Sequence, residues 1–87
     1  MASDTHTITF FGLSTCIHCR HAREFLEKHH EPADIHYVDL AEGEERVRLL
    51  EKVREYNPSV SFPTIIIDGS KVIVGFQPEA LTEALGL

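Results

Sequence analysis

The sequence predicts an α/β fold, a mixed four-stranded sheet flanked by helices in the order β-α-β-α-β-β-α. Three observations predict it. Short β-branched and aromatic runs alternate with segments of helical periodicity. A strand, a helix and a second strand between Thr7 and Val38 form a βαβ unit, whose right-handed crossover makes its two strands parallel. Asp68-Gly69 separates two apolar runs, which is the strongest short signal for an antiparallel hairpin.

Each element has its own justification. Thr7-Ile8-Thr9-Phe10-Phe11 is β-branched and aromatic and ends at Gly12, as a buried strand does. Leu13-Ser14-Thr15 leads into a helix in which Ala22, Phe25 and Leu26 fall three and four apart, with Arg20, Arg23, Glu24, Glu27 and Lys28 opposite. It is expected to end near His29 or His30, before Pro32. Ile35-His36-Tyr37-Val38 gives the second strand. Glu44 to Tyr56 gives a second helix with the apolar stripe Leu49, Leu50, Val53 and Tyr56, stopped by Asn57-Pro58. Glu44 and Arg48 have the spacing of a favourable ion pair on it. Thr64 to Ile67 and Lys71 to Val74 are the hairpin strands, and Pro78 suits the first turn of a final helix to Leu85.

At 87 residues the chain is expected to form one domain over 1–87, with residues 1–6 a flexible N-terminus. Its 43% hydrophobic and 25% charged residues fit an ordinary globular protein rather than a disordered one. A formal net charge of −6 disfavours phosphate backbones, so nucleic acid is not an expected partner. No apolar run approaches the length of a membrane span, and the first residues lack the basic and apolar regions of a secretory signal. A cytoplasmic monomer without membrane partners is therefore expected.

Both cysteines lie in Cys16-Ile17-His18-Cys19, at the predicted strand-to-helix junction. A C-x-x-C there, in a reducing compartment where structural disulfides are rare, reads as a dithiol redox site. A helix N-terminus offers unpaired amide donors and partial positive charge, both of which favour a thiolate. Cys16 is thus the expected nucleophile. Cys19, one turn later on the side of Ala22 and Leu26, is the expected resolving thiol. His18, with Arg20 and His21, is expected to stabilise the Cys16 thiolate and to favour the dithiol form. Pro63 suits the first position of a strand, where its missing donor costs nothing.

With the C-x-x-C, the Phe62-Pro63 step, the Asp68-Gly69 hairpin and Gly75 in this order, the chain resembles the glutaredoxin family of the thioredoxin-fold superfamily, from about Thr7 to Leu85. The resemblance implies a thioredoxin-like fold. It also implies a thiol-disulfide oxidoreductase in which Cys16 and Cys19 are the catalytic pair, Pro63 is cis, and the Phe62 backbone pairs with an extended substrate. The implied partners are a disulfide-containing protein substrate and an electron donor, either thioredoxin reductase or glutathione, with no bound cofactor. Two departures bear on the donor. Leu13 stands where glutathione-binding members usually carry Lys or Arg, and Val74-Gly75-Phe76-Gln77-Pro78 replaces their Gly-Gly and acidic residue. The segment from Gly75 to Glu79 is more similar to the glutaredoxin-like redoxins that serve ribonucleotide reductase.

Two other readings use the same residues. The first is a metal or iron-sulfur module on Cys16 and Cys19, although two thiols supply only half of a tetrahedral site. The second is a non-catalytic interaction domain. No metal site is expected, and His6, His36 and Lys71 are expected at the surface or at a strand edge.

Overall fold

A computed structural model describes residues 6–87. Strand β1 (Ile8–Gly12) leads through a short loop into helix α1 (Ile17–Lys28), followed by strand β2 (Asp34–Tyr37) and a single 3-10 turn, Val38–Leu40. Helix α2 (Gly43–Tyr56), the hairpin β3 (Thr64–Ile67) and β4 (Lys71–Val74), and helix α3 (Pro78–Leu85) complete the chain. The strand order is β2-β1-β3-β4. β1 runs parallel to β2, and β3 is antiparallel to both β1 and β4.

Alternation along the strands separates two faces. Ile8 and Phe10 of β1, Ile65 and Ile67 of β3 and Ile73 of β4 pack with Cys19, Ala22 and Leu26 of α1 and Leu81 and Leu85 of α3. Phe11 and Ile66 point the other way and meet Val53 of α2, with Leu49, Tyr56, Val60 and Val72 half-buried around them. The antiparallel register pairs Phe11 with Thr64. One step further along it, Pro63 comes beside Gly12, at the end of the sheet where the chain leaves for Cys16.

Local chemistry sets the element ends. Pro78 opens α3, where its missing amide is one of the orphan donors anyway. Gly86 closes α3 in the left-handed region at φ 71°, so that Leu87 N–H reaches Thr82 O at 3.0 Å. The expected boundaries hold within one or two residues, and three details differ. Val38 is buried, but it starts the 3-10 turn instead of ending β2. Arg48 pairs with Glu45 at 2.6 Å, three residues back, rather than with Glu44. Of the expected α2 stripe, Val53 is fully buried while Leu49, Leu50 and Tyr56 are half-buried.

Of the segment 1–6 expected to be flexible, residues 1–5 lie outside the described residues. His6 is held at both ring nitrogens. Nδ1 lies 3.0 Å from Asp68 Oδ2 and Nε2 lies 3.1 Å from Leu85 O.

Candidate functional site

The loop after β1 delivers Cys16 to the N-cap of α1. Cys16 has extended backbone angles, φ −85° and ψ 121°, and its Sγ accepts the Cys19 N–H at 3.2 Å. A sulfur therefore does here what a Ser or Asp side chain ordinarily does at a helix start. The first turn carries no acidic residue, so no carboxylate competes for the positive end of the helix. Cys16 is half-buried and Cys19 is 2% exposed, and both are free thiols.

The two thiols sit in unlike surroundings. Burial in the core pushes the Cys19 thiol up to about 12, helped by its hydrogen bond with Cys16 and by the charge of Cys16. A Leu13 N–H donated to Cys19 Sγ at 3.5 Å works in the opposite direction. Cys19 is held as a neutral thiol, while Cys16 faces the helix dipole and the surface.

Gly12 makes this packing feasible. A Cβ at that position would lie 2.7 Å from a ring carbon of the fully buried Phe10 and 3.2 Å from Cys19 Sγ. The sequence marked Gly12 only as a strand end. A second feature it did not reveal is a clamp on the loop itself. Asp39, in the 3-10 turn, accepts Ser14 N–H at 2.9 Å and Ser14 O–H at 2.5 Å, and these bonds hold its carboxyl below the usual carboxylate range.

The chain enters β3 through a cis Phe62-Pro63 bond, with Pro63 buried and its carbonyl accepting Gly75 N–H at 2.8 Å. Phe62 is half-buried against both core clusters. Among the described residues no hydrogen bond engages the Phe62 backbone. The approach to this step is organised by Asn57, read from sequence only as a helix stop. Its buried amide Nδ2 lies within 3.2 Å of Ser61 O, Ser61 Oγ and Thr64 Oγ1, and its Oδ1 accepts Ser59 N–H at 3.2 Å. Inside this loop Val60 adopts φ 50°, a left-handed conformation that is costly for a β-branched residue.

His18 is exposed and, among the described residues, makes no hydrogen bond to Cys16. His21 packs edge-on against Phe76, which also meets Phe25 edge-on, so Phe76 packs along α1 at the rim of the core. His36 stacks on Phe11 and contacts Asp34 at 3.1 Å, and Lys71 is exposed. Among the described residues no three His, Cys, Asp or Glu side chains gather into a group able to hold a metal ion. No helix among them is long and apolar enough to cross a membrane.

The family model for glutaredoxin matches residues 8–72. The chain belongs to the glutaredoxin family. Its fold is the thioredoxin-like fold of that family, and oxidoreductase activity is the family's general property. Methanosarcina acetivorans methanoredoxin is similar in structure, with 41% identity and a TM-score of 0.90 over 93% of this chain and 85% of that one. The glutaredoxin of Methanosarcina mazei Go1 shares 43% identity, with a TM-score of 0.86 over 93% of this chain and 79% of its own. The glutaredoxin grx-1 of Archaeoglobus fulgidus shares 35%, with a TM-score of 0.84 over 90% and 84% of the two chains. No curated protein sequence matches.

Proposed function

We propose that this glutaredoxin-family protein is a dithiol thiol-disulfide oxidoreductase that reduces protein disulfides through Cys16 and Cys19. The observation that carries the reading is the inequality of the two thiols. One caps a helix at the surface, and the other is buried and held neutral with a value of about 12.

That inequality orders the steps. Cys16 thiolate attacks one sulfur of a substrate disulfide, a mixed disulfide forms, and the other substrate sulfur leaves and takes up a proton. Cys16 then no longer carries charge. Two of the causes that raise Cys19, its hydrogen bond with Cys16 and the Cys16 charge, depend on the free thiolate, so bond formation eases deprotonation of Cys19. Cys19 attacks Cys16 Sγ, the second substrate thiol is released, and two electrons have passed to the substrate. A donor, thioredoxin reductase or glutathione, returns them without any bound cofactor. Phe62 and Pro63 form the substrate-facing edge, where the unengaged Phe62 backbone pairs with an extended segment by strand addition. His18 supports the Cys16 thiolate through space. The protein acts as a cytoplasmic, single-domain monomer.

NADPH consumption with a disulfide substrate tests this, with glutathione plus glutathione reductase compared against thioredoxin reductase. Turnover with either donor, abolished by Cys16→Ser, is expected. In Cys19→Ser the resolving step is lost, and the partner should accumulate as a mixed disulfide on Cys16. Full activity in Cys16→Ser would sink the reading.

A further inference from the structure

One short turn sets where both thiols stand. Leu13 to Cys16 close it, with Cys16 N–H donating to Leu13 O at 3.2 Å, while the Leu13 N–H donates to Cys19 Sγ at 3.5 Å. Leu13 is fixed from both sides. Before it, Gly12 is in register with Tyr37 at the end of the β1–β2 ladder. After it, Ser14 gives its N–H to Asp39 Oδ1 at 2.9 Å and its hydroxyl to Asp39 Oδ2 at 2.5 Å. Ser14 N–H and Leu13 C=O belong to one planar peptide unit, so the carboxylate that holds the first also orients the second. Asp39 is anchored in its turn. Arg46 of α2 donates Nη2 to Asp39 O at 3.2 Å and Nε to Ala41 O at 3.0 Å, which braces the 3-10 turn from the next helix.

The Leu13 N–H is aimed at the sulfur on which charge must develop. Burial raises the Cys19 thiol to about 12, and the bond from Leu13 acts to lower it. A donor fixed in advance beside a buried sulfur stabilises the thiolate with no reorganisation when the charge appears. We propose that the Leu13 backbone amide is the thiolate-stabilising donor for Cys19 in the resolving step, and that Asp39, acting through Ser14, is the positioning residue that aims it. This inference rests on the redox reading above. In that step Cys19 loses its proton to solvent and its thiolate attacks Cys16 Sγ of the mixed disulfide. The bond between Cys16 and the substrate sulfur breaks, that sulfur leaves with the electron pair and takes up a proton, and the Cys16–Cys19 disulfide remains. Asp39 takes no part in the sulfur exchange. Cys16 keeps its own donor, the Cys19 N–H at 3.2 Å, within α1, so the effect of Asp39 falls on the second step and not on the first.

Mixing the reduced protein with equimolar 5,5′-dithiobis(2-nitrobenzoate) separates the two steps. Cys16 releases one thionitrobenzoate as the mixed disulfide forms, and Cys19 releases the other as it resolves. Asp39→Ala is expected to slow the second release about threefold relative to the first at neutral pH. That figure corresponds to Cys19 titrating about one pH unit higher, a tenfold loss of thiolate partly offset by the greater nucleophilicity of a more basic sulfur. Ser14→Ala, which loses one of the two bonds to Asp39, should show the same change in smaller degree. Asp39→Asn can still accept the Ser14 N–H at Oδ1 and can donate to the Ser14 hydroxyl oxygen, so it should restore the second release. Titration of Cys19 by its Cβ shift in NMR, with Cys16→Ser as background, should move to higher pH when Asp39→Ala is added and stay in place with Asp39→Asn. A slower second release with an unmoved Cys19 titration would mean that Asp39 only steadies the loop, and overturns the donor role of Leu13. An unchanged second release in both Asp39→Ala and Ser14→Ala overturns the inference while leaving the redox reading intact. Failure of the unsubstituted protein to give the second release overturns both.

Discussion

The two faces of the sheet are built unequally. Under α1 and α3 lies a cluster of ten buried residues, and under α2 a cluster of three. α1 contributes three buried side chains and α3 two, whereas α2, the longest helix at 14 residues, contributes Val53. The dithiol belongs to the thick face, since Cys19 is part of its core. The difference teaches that the resolving thiol takes its character from packing. Cys19 is neutral because it is surrounded by the same apolar atoms that hold the fold together, so stability and redox chemistry are coupled on this face and separable on the other.

Truncations of matched chemistry should expose that coupling most strongly. Leu26→Ala on α1 is expected to cost about 3 kcal/mol, in the range for a fully buried leucine, and to loosen the wall behind Cys19. Leu49→Ala on the α2 face, where the side chain is half-buried, should cost about 1 kcal/mol and leave sulfur exchange unchanged. Urea denaturation of both variants, together with the rate of disulfide reduction, checks the contrast. Equal losses of stability would mean that the thin face bears as much of the fold as the thick one.

Gly12→Ala sharpens the comparison at a single atom. The added methyl would meet Phe10 at 2.7 Å and Cys19 Sγ at 3.2 Å, and Phe10, with no exposed surface, has nowhere to move. Overpacking of this kind costs about 2 kcal/mol. The more telling readout is the second step of the cycle, because displacement of Cys19 should slow resolution of a mixed disulfide while sparing its formation. A variant with normal resolution would show that Cys19 tolerates a shift.

Next in size is Asn57→Ala, expected to cost about 1–2 kcal/mol because the backbone and hydroxyl groups it satisfies are left partly unpaired. The loss should fall on the loop before Pro63, where Val60 is held at φ 50°. A rise in amide exchange confined to residues 59–62 and β3 would support that. Exchange that rises uniformly would mean that Asn57 serves the whole fold instead.

What the sequence revealed and what it hid follow one physical rule. The elements were legible because each is specified by neighbours: Asp68-Gly69 for the hairpin, Pro78 for the start of α3, and a period of three and four residues for α1. The N-cap position of Cys16 and the burial of Cys19 were legible for the same reason, since three residues along one helix turn carry both. The features missed are contacts between residues distant in the chain. Ser14 meets Asp39, Arg23 meets Tyr37, and Gly12 yields to a side chain of the following helix. No local pattern encodes these. The unequal depth of the two faces escaped for a related reason, because the apolar stripe of α2 shows which side turns inward but not how closely the helix approaches.

The smallest effect concerns the edge of the thick face, where His6 ties the β3–β4 turn to the end of α3. Asp68 carboxylate and Leu85 carbonyl can only accept, so a ring that bonds both must donate from both nitrogens, which the imidazolium alone does. Its bond to Asp68 therefore raises His6 above the ordinary 6.5, with the bond to Leu85 and the charge of Glu31 acting in the same sense, and Asp68 is lowered in return. The two shifts fix a window. For His6, raised on folding, the contribution to stability is complete below the unfolded value near 6.5 and disappears as pH rises through the folded value. For Asp68, lowered on folding, the contribution is present above its unfolded value near 3.8 and disappears as pH falls through the folded one. The clamp is thus strongest between those two unfolded values. Thermal melts of the protein and of His6→Gln, compared at about pH 5.5 and about pH 9, should differ more at the lower pH, and the subtraction removes the titration of the other histidines. A difference that grows toward pH 9 would mean that His6 bonds as a neutral ring, with one of its two partners unmet.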